Sequence, residues 1–369
     1  MEQGGDHRHS FTGRPRHPLT KGEQGWHKPG RVVVGGVDTH LDVHVAAALD
    51  PIGGVLGVES FAATPRGYKA MLEWMSAFGP VSKVGVEGTG AYGAGLGRFL
   101  GQAGIEVIEV DRPNRQVRRT QGKSDPADAV EAARAVLSGR CTGAPKSRDG
   151  NVEAIRALLV AKRSAREGRL RAVHQMRQLS YTGPDQLRCR LKGLSTKDLV
   201  DEAAAMRRRV GGDPVLLATK TALASLGRRV HALDEEASHL DDSLAELVTA
   251  TAPGMLELFG VGIDTAAVLL VAAGDNPEHL RSEAAWAHMC GVAPIEASSG
   301  KITRHRLDRG GDRNANQALW RIVMTRLATD SRTREYMERR TKEGRSKREV
   351  IRVLKRYVAR EVFKHLPRG

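Results

Sequence analysis

Cysteine is scarce. The 369-residue chain has three, Cys141, Cys189 and Cys290, far apart and without CxxC spacing, so neither a disulfide framework nor a zinc site is supported, which suits a reducing cytoplasm. Long apolar runs are missing too. The run "TAAVLLVAAG" is far short of a membrane span. The first thirty residues, rich in Gly, His, Arg and Pro, contain no apolar stretch that could serve a secretory signal, and residues 1–30 read as a flexible extension. Acidic charge is outweighed: 43 Asp and Glu stand against 58 Lys and Arg, for a net charge of +15 and a pI near 10.1. That balance is unusual for a metabolic enzyme and points to a polyanionic partner. The excess is local, because residues 301–369 carry 21 Lys and Arg against 8 Asp and Glu, a net +13. Charge gathered in one segment can act as a continuous phosphate-binding surface. A solvated helix or a disordered basic tail would have the same composition.

At 40.0 kDa the chain exceeds one small core, and two or three domains are expected. From Arg31, "RVVVGGVDTHLDVHVAAALD" reads as a β-hairpin ending near Asp50 and Pro51. "GYKAMLEWMSAFG" has helical periodicity, "VSKVGVEG" reads as a buried strand, "AYGAGLGRFLGQAG" as a helix closed by glycine and "IEVIEVD" as a strand. Residues 31–145 therefore predict an α/β domain with a central mixed sheet whose last element is a helix opening at Asp125. Residues 151–251 are rich in Ala, Leu, Arg and Glu with few aromatics, and predict two long amphipathic helices that fold back on each other or pair with a second subunit as a coiled coil. Residues 252–335 predict a mainly helical domain, in which "LELFGVGIDTAAVLLVAAGD" has the Gly-x-Gly hinge of a helix-hairpin-helix, an arrangement able to offer backbone amides to a phosphate. Residues 336–369 read as a basic helical tail. The fold class is thus α/β plus all-α.

The stretch "KSDPADAVEAARAVL" sets Asp125 and Asp128 three apart at a helix start, with Asp125 placed to cap it and Pro126 at its first position. Capping accounts for Asp125 but not for Asp128, which shares its face. Two acids at a helix N-terminus also suit the macrodipole with no chemistry at all. Asp38 closes the first strand in "VVGGVDTH", and Glu87 ends another in "KVGVEGTG". Acids at the end of apolar strands are costly unless paired, hydrogen-bonded or holding a cation. Four converging carboxylates are what two Mg²⁺ ions need to flank a phosphodiester. Asp38, Glu87, Asp125 and Asp128 are the candidate metal ligands.

In this order and with these gaps, "GVDTH", "GVEGTG" and "KSDPADA" resemble the Asp, Glu, Asp, Asp signature of the DEDD-type insertion-sequence transposases, whose first domain has the RNase-H-like fold of RuvC-type resolvases. "FGVGIDTAAVLLVAAGD", "AWAHMCGVAPIEASSGK" and "ITRHRLDRGGDRNANQALWRIVM" are similar to the C-terminal domain of that family, so the likeness runs from about Val32 to Leu327. The resemblance implies that Asp38, Glu87, Asp125 and Asp128 hold Mg²⁺ and that a serine of "ASSGK" is the nucleophile, Ser299 beside Gly300 being favoured over Ser298. Lys301, Arg304, His305, Arg309 and Arg313 would then bind phosphates around it. It further implies a homo-oligomer that cuts and rejoins donor and target DNA through a phosphoserine, guided by a structured noncoding RNA, in the bacterial cytoplasm at the nucleoid.

Three other readings compete. "GTGAYG", Gly88 to Gly93, fits G-x-G-x-x-G between a strand and a helix, with Glu109 or Asp111 near the distance of a ribose-binding acid, as in a nicotinamide-dependent dehydrogenase. Glu87 beside the pyrophosphate and the basic C-terminal segment argue against it. Were "DTHLDVH" one continuous strand, Asp38, His40, Asp42 and His44 would share a face and could hold zinc or iron; a hairpin turn would send the histidines to solvent instead. Finally, the basic segment alone could make a non-catalytic nucleic-acid-binding protein.

Overall fold

The computed structural model describes residues 32–110, 124–207, 213–276, 280–298 and 305–367. The valine-rich run after Val32 forms strand β1 (Val33–Thr39), every residue of it buried. It pairs antiparallel with β2 (Val43–Leu49), which pairs antiparallel with β3 (Val55–Ala62). On its other side β1 pairs parallel with β4 (Val81–Glu87), and β4 pairs parallel with β5 (Glu106–Val110). The mixed sheet has the order β3-β2-β1-β4-β5, consistent with an RNase-H-like α/β domain. Strand β3 lies beyond the end of the predicted hairpin. Its sequence "VLGVESFA" mixes Gly, Glu and Ser among its apolar residues, and its largely exposed edge position demands no clean alternation.

Two layers of helix cover the sheet. Helices α1 (Pro65–Ser76) and α2 (Ala94–Gln102) bury Tyr68, Met71, Met75, Leu96 and Leu100 against Val33, Val37, Ala46, Ala48, Val84 and Val86. Helix α3 (Asp125–Leu137) covers the opposite face and comes close because both partners are small. Ala129, Ala132 and Ala133 face glycines of the sheet: a Cβ on Gly36 would stand 2.2 Å from the Ala129 carbonyl oxygen and 2.3 Å from the Ala133 nitrogen, and one on Gly85 2.8 Å from the Ala132 carbonyl oxygen.

The remainder of the described chain is helical apart from a two-stranded ribbon. Helix α4 (Asn151–Thr182) packs along α7 (Pro214–Thr251), which Asp213 caps by accepting from the Val215 and Leu216 amides. Between them α5 (Asp185–Leu191) and α6 (Thr196–Ala204) close a separate core at the far end, built on Met176, Leu187, Leu199 and Leu223. The near ends, through Ile155 and Leu244, join a larger core with α8 (Pro253–Leu256), α9 (Ile263–Ala273), α10 (Glu283–Met289), α11 (Arg313–Thr329), α12 (Ser331–Lys342) and α13 (Lys347–Phe363). Lys162 of α4 is buried there and paired with Asp241 of α7 and Asp264 of α9, while the Arg166 Nη1 donates to Asp264 at 3.0 Å. The strands β6 (Ile295–Glu296) and β7 (His305–Arg306) form the ribbon.

The segment read as a basic tail is also a core element. On α13, Val350, Leu354, Val358 and Val362 recur every four residues and are buried, while the fully buried Trp286 donates its indole N–H to the Ala359 carbonyl at 3.0 Å. Its arginines lie on the other faces of the same helix. Among the described residues, no helix is long and apolar enough to cross a membrane.

The seating of α3 on glycine yields a stability test. Gly36→Ala is expected to cost about 1–3 kcal/mol, the range for overpacking, measured as a lowered urea midpoint. Gly97→Ala, within α2 where a Cβ meets nothing within 4 Å, is the control, expected to be neutral or to gain up to about 1 kcal/mol. Equal effects at the two positions would contradict the close approach.

Candidate metal centre

The site forms where strand ends meet a helix start. The register Val37↔Val86 sets Asp38 beside Glu87 at the C-terminal ends of two parallel neighbours, and the Thr39 hydroxyl ties these ends by donating to the Glu87 carbonyl at 2.7 Å. Val37 and Val86 belong to the core beneath α1 and α2, so strand alternation turns the positions of Asp38 and Glu87 to the α3 side, in phase with Gly36 and Gly85. Asp38 and Asp128 are both buried.

At the start of α3 the structure moves the cap by one residue. Ser124 is the N-cap, with extended backbone at φ −144° and ψ 136° and no side-chain cap bond, and Asp125 is the first helical residue, followed by Pro126. The predicted capping by Asp125 is thereby corrected: an acid already inside the helix turns its side chain away from the orphan amides that a capping oxygen would accept from. Asp125 meets His40 instead.

His40 belongs to the centre, contrary to the solvent contacts expected of a turn histidine. Its Nε2 lies 3.2 Å from Asp38 Oδ2 and 3.5 Å from Asp125 Oδ1, and one ligand atom from each of Asp38, His40 and Asp125 lies within 4.8 Å of the others. The turn is fixed from below, where the His40 amide donates to His44 Nδ1 at 3.3 Å. His44 is buried and stacked on Tyr68 with ring centroids 5.6 Å apart; burial, then the neighbouring His40 charge, holds its pKa below the ordinary imidazole value. Because β1 ends at Thr39 and β2 begins at Val43, "DTHLDVH" is no single strand, and Asp42 lies exposed in the turn. The four side chains do not form the one-faced zinc or iron site.

Electrostatics marks the cluster as well. Burial pushes the Asp38 carboxyl above the usual carboxylate range, the negative charges of Asp128 and Asp125 push it further, and His40 partly offsets them. Carboxylates that repel one another lose that repulsion when a cation sits among them. The donor set of carboxylates with one imidazole suits a divalent ion.

The other predicted positions lie elsewhere. Ser298 is exposed just beyond β6, whereas Ser299, Gly300, Lys301 and Arg304 lie outside the described residues. His305 in β7, Arg309 and Arg313 at the first position of α11 are all exposed. Gly88 turns the "GTGAYG" loop with φ +70°, and Thr89 donates to the Glu109 carboxylate, which thereby ties the loop to β5. Asp111 lies outside the described residues. The glycine loop does open the parallel unit β4-α2-β5, but β1 to β3 form an antiparallel meander on the other side of the sheet, unlike the mostly parallel, doubly wound sheet of a dinucleotide-binding domain.

Comparison with known proteins agrees with the order of these elements. Residues 35–180 match the IS110 model of DEDD transposases, described as "Transposase", and residues 254–338 match the model described as "Transposase IS116/IS110/IS902 family". The insertion element IS110 uncharacterized 43.6 kDa protein of Streptomyces coelicolor is 30% identical over 130 residues, which cover 34% of this chain and 32% of that protein. The insertion element IS900 uncharacterized 42 kDa protein of Mycobacterium paratuberculosis is 28% identical over 139 residues, covering 37% of this chain and 35% of that protein. The chain thus spans about a third of the length of these curated relatives. The two family models together cover more than half of the chain, and it belongs to the IS110 family of transposases.

Proposed function

We propose that the protein is a DNA recombinase that moves its own insertion sequence, with Asp38, Glu87, Asp125 and Asp128 holding Mg²⁺. The observation that carries this reading is the meeting of buried Asp38 with the start of α3, where Asp38, His40 and Asp125 offer ligand atoms within 4.8 Å of one another, in a domain matching the DEDD transposase model. Bound there, the metal would supply charge stabilisation to a phosphodiester. The chain's own residues do the rest. The Ser299 hydroxyl, or failing it that of Ser298, attacks the phosphorus; a phosphoserine forms as the bond to the departing strand breaks, and that strand's oxygen leaves with a proton. The hydroxyl of the incoming strand then attacks the phosphoserine and releases the serine. Lys301, Arg304, His305, Arg309 and Arg313 hold the neighbouring phosphates.

By this reading residues 31–145 are the catalytic domain, residues 151–251 form a coiled coil that joins subunits of a homo-oligomer, and residues 252–335 carry the serine and a helix-hairpin-helix-like phosphate contact. Residues 336–369 add the basic helical surface; residues 1–30, read from the sequence as an extension, lie outside the described residues. Donor and target DNA are the substrates, and a noncoding guide RNA encoded by the element pairs with both. The net charge of +13 over residues 301–369 supports a nucleic-acid partner of either kind. The protein would act in the bacterial cytoplasm, on the nucleoid.

Strand exchange between donor and target plasmids tests the reading. Asp38→Ala and Asp128→Ala should bind DNA as the parent does and lose exchange by at least about a hundredfold, the upper scale on which even indirect metal partners act; Ser299→Ala should lose it and Ser298→Ala keep it. Exchange that survives both aspartate changes would overturn the metal-binding role of the acids, and a parent chain that binds DNA without any exchange would favour a non-catalytic nucleic-acid-binding protein. RNA from the element should co-purify with the chain, and its absence would favour DNA recognition by protein alone.

A second expectation concerns stability. Because the folded-state pKa of Asp38 is raised, the folded chain holds its proton more tightly than the unfolded chain, and this group's contribution weakens as pH rises from the usual carboxylate range through the raised value. Asp38→Asn removes the charge with little change of shape. In EDTA at pH 7 it should raise Tm relative to the parent, and it should abolish the Tm gain that Mg²⁺ gives the parent. A lower Tm in EDTA with the Mg²⁺ gain intact would contradict the charge clustering.

A further inference from the structure

His40 stands outside the Asp/Glu/Asp/Asp set, yet among the described residues it shares a cluster of possible ligand atoms with Asp38 and Asp125. The Nε2 lies 3.2 Å from an Asp38 oxygen and 3.5 Å from an Asp125 oxygen. Around a small divalent ion with bonds of about 2.1 Å, neighbouring ligand atoms stand about 3 Å apart. The spacing of His40 from each acid is therefore already close to that of one coordination shell. The placement is also built. The chain leaves β1 at Thr39, and the His40 amide is held by His44 Nδ1 at 3.3 Å. His44 is in turn buried and stacked on Tyr68. The His40 and Asp125 side chains are 41% and 47% exposed and the Asp38 side chain 9%, so the two partly open groups flank a buried carboxylate.

We propose that His40 is a direct ligand of the cation held by Asp38 and Asp125, and that it makes the centre take Mn²⁺ more tightly than Mg²⁺. This rests on the reading of the acidic residues as cation ligands. Imidazole nitrogen is a softer donor than carboxylate or water. Mg²⁺ keeps to oxygen ligands and gives up its waters reluctantly, so exchanging one oxygen for nitrogen costs Mg²⁺ more than Mn²⁺. An all-oxygen set would give a smaller preference.

The test uses the full chain without nucleic acid and Mn²⁺ as the probe, with affinity measured from the loss of the free-ion EPR signal and Mg²⁺ affinity measured by competition. Bound Mn²⁺ should show a directly coordinated ¹⁴N coupling by pulsed EPR. In His40→Ala that coupling should vanish and Mn²⁺ affinity fall by about 10- to 100-fold, with Mg²⁺ affinity changed by less than about threefold. His40→Gln, which keeps a polar side chain in the turn, should lose the coupling as well. Asp38→Ala should lose both ions. The histidines outside the described residues are common to all the variants, so any signal from them persists throughout. Binding of Mn²⁺ that depends on Asp38 but shows no ¹⁴N coupling, or equal losses of both ions in His40→Ala, would overturn the role of His40 and leave the acidic site standing. Binding unaffected by Asp38→Ala would overturn both.

Discussion

Helix α3 lies on β1 and β4 at a distance that only glycine permits. Gly36 and Gly85 face the Ala129 and Ala132 carbonyls, so the helix backbone rests almost on the sheet. Its first turn is thereby pressed toward the strand ends, where Asp38 is buried. Bringing Asp125 and Asp128 to Asp38 raises the energy of the ionised cluster, and the packing of an alanine helix into a glycine groove must offset it. The site is a strained concentration of negative charge maintained by an apolar contact. A divalent cation would relieve that strain, and within the chain His40 lies against two of the acids.

Much of this was legible in the sequence, because each feature left a local trace. The alternation around "VDTH" and the helical spacing of "DPADAVEAARAVL" place the strand end and the helix start, and an acid closing an apolar strand marks Asp38. What escaped depends on tertiary contact. The edge strand β3 is largely exposed and so has no pattern to keep. The cap at Ser124 differs from a cap at Asp125 only in backbone dihedrals. His40 lies in a turn whose composition suggests solvent, and its place at the carboxylates comes from a helix that starts more than eighty residues later.

The basic C-terminal segment has two properties at once. Its final helix spends one face on the core, where Trp286 hydrogen-bonds its backbone, and keeps its arginines for the remaining faces. Charge in this region is therefore carried on a rigid support rather than a loose tail, which limits the entropy lost when it meets a polyanion. The long helices α4 and α7 are joined to that same support through buried Lys162 and its two aspartates.

The central claim is that the Asp38 carboxylate and the start of α3 share a divalent cation. Anomalous diffraction from crystals grown with Mn²⁺ is the most direct measurement. The account predicts an anomalous peak bounded by Asp38 on the strand side and by Asp125 and Asp128 on the helix side. A difference map with no peak there, in crystals that bind the ion elsewhere, would contradict it.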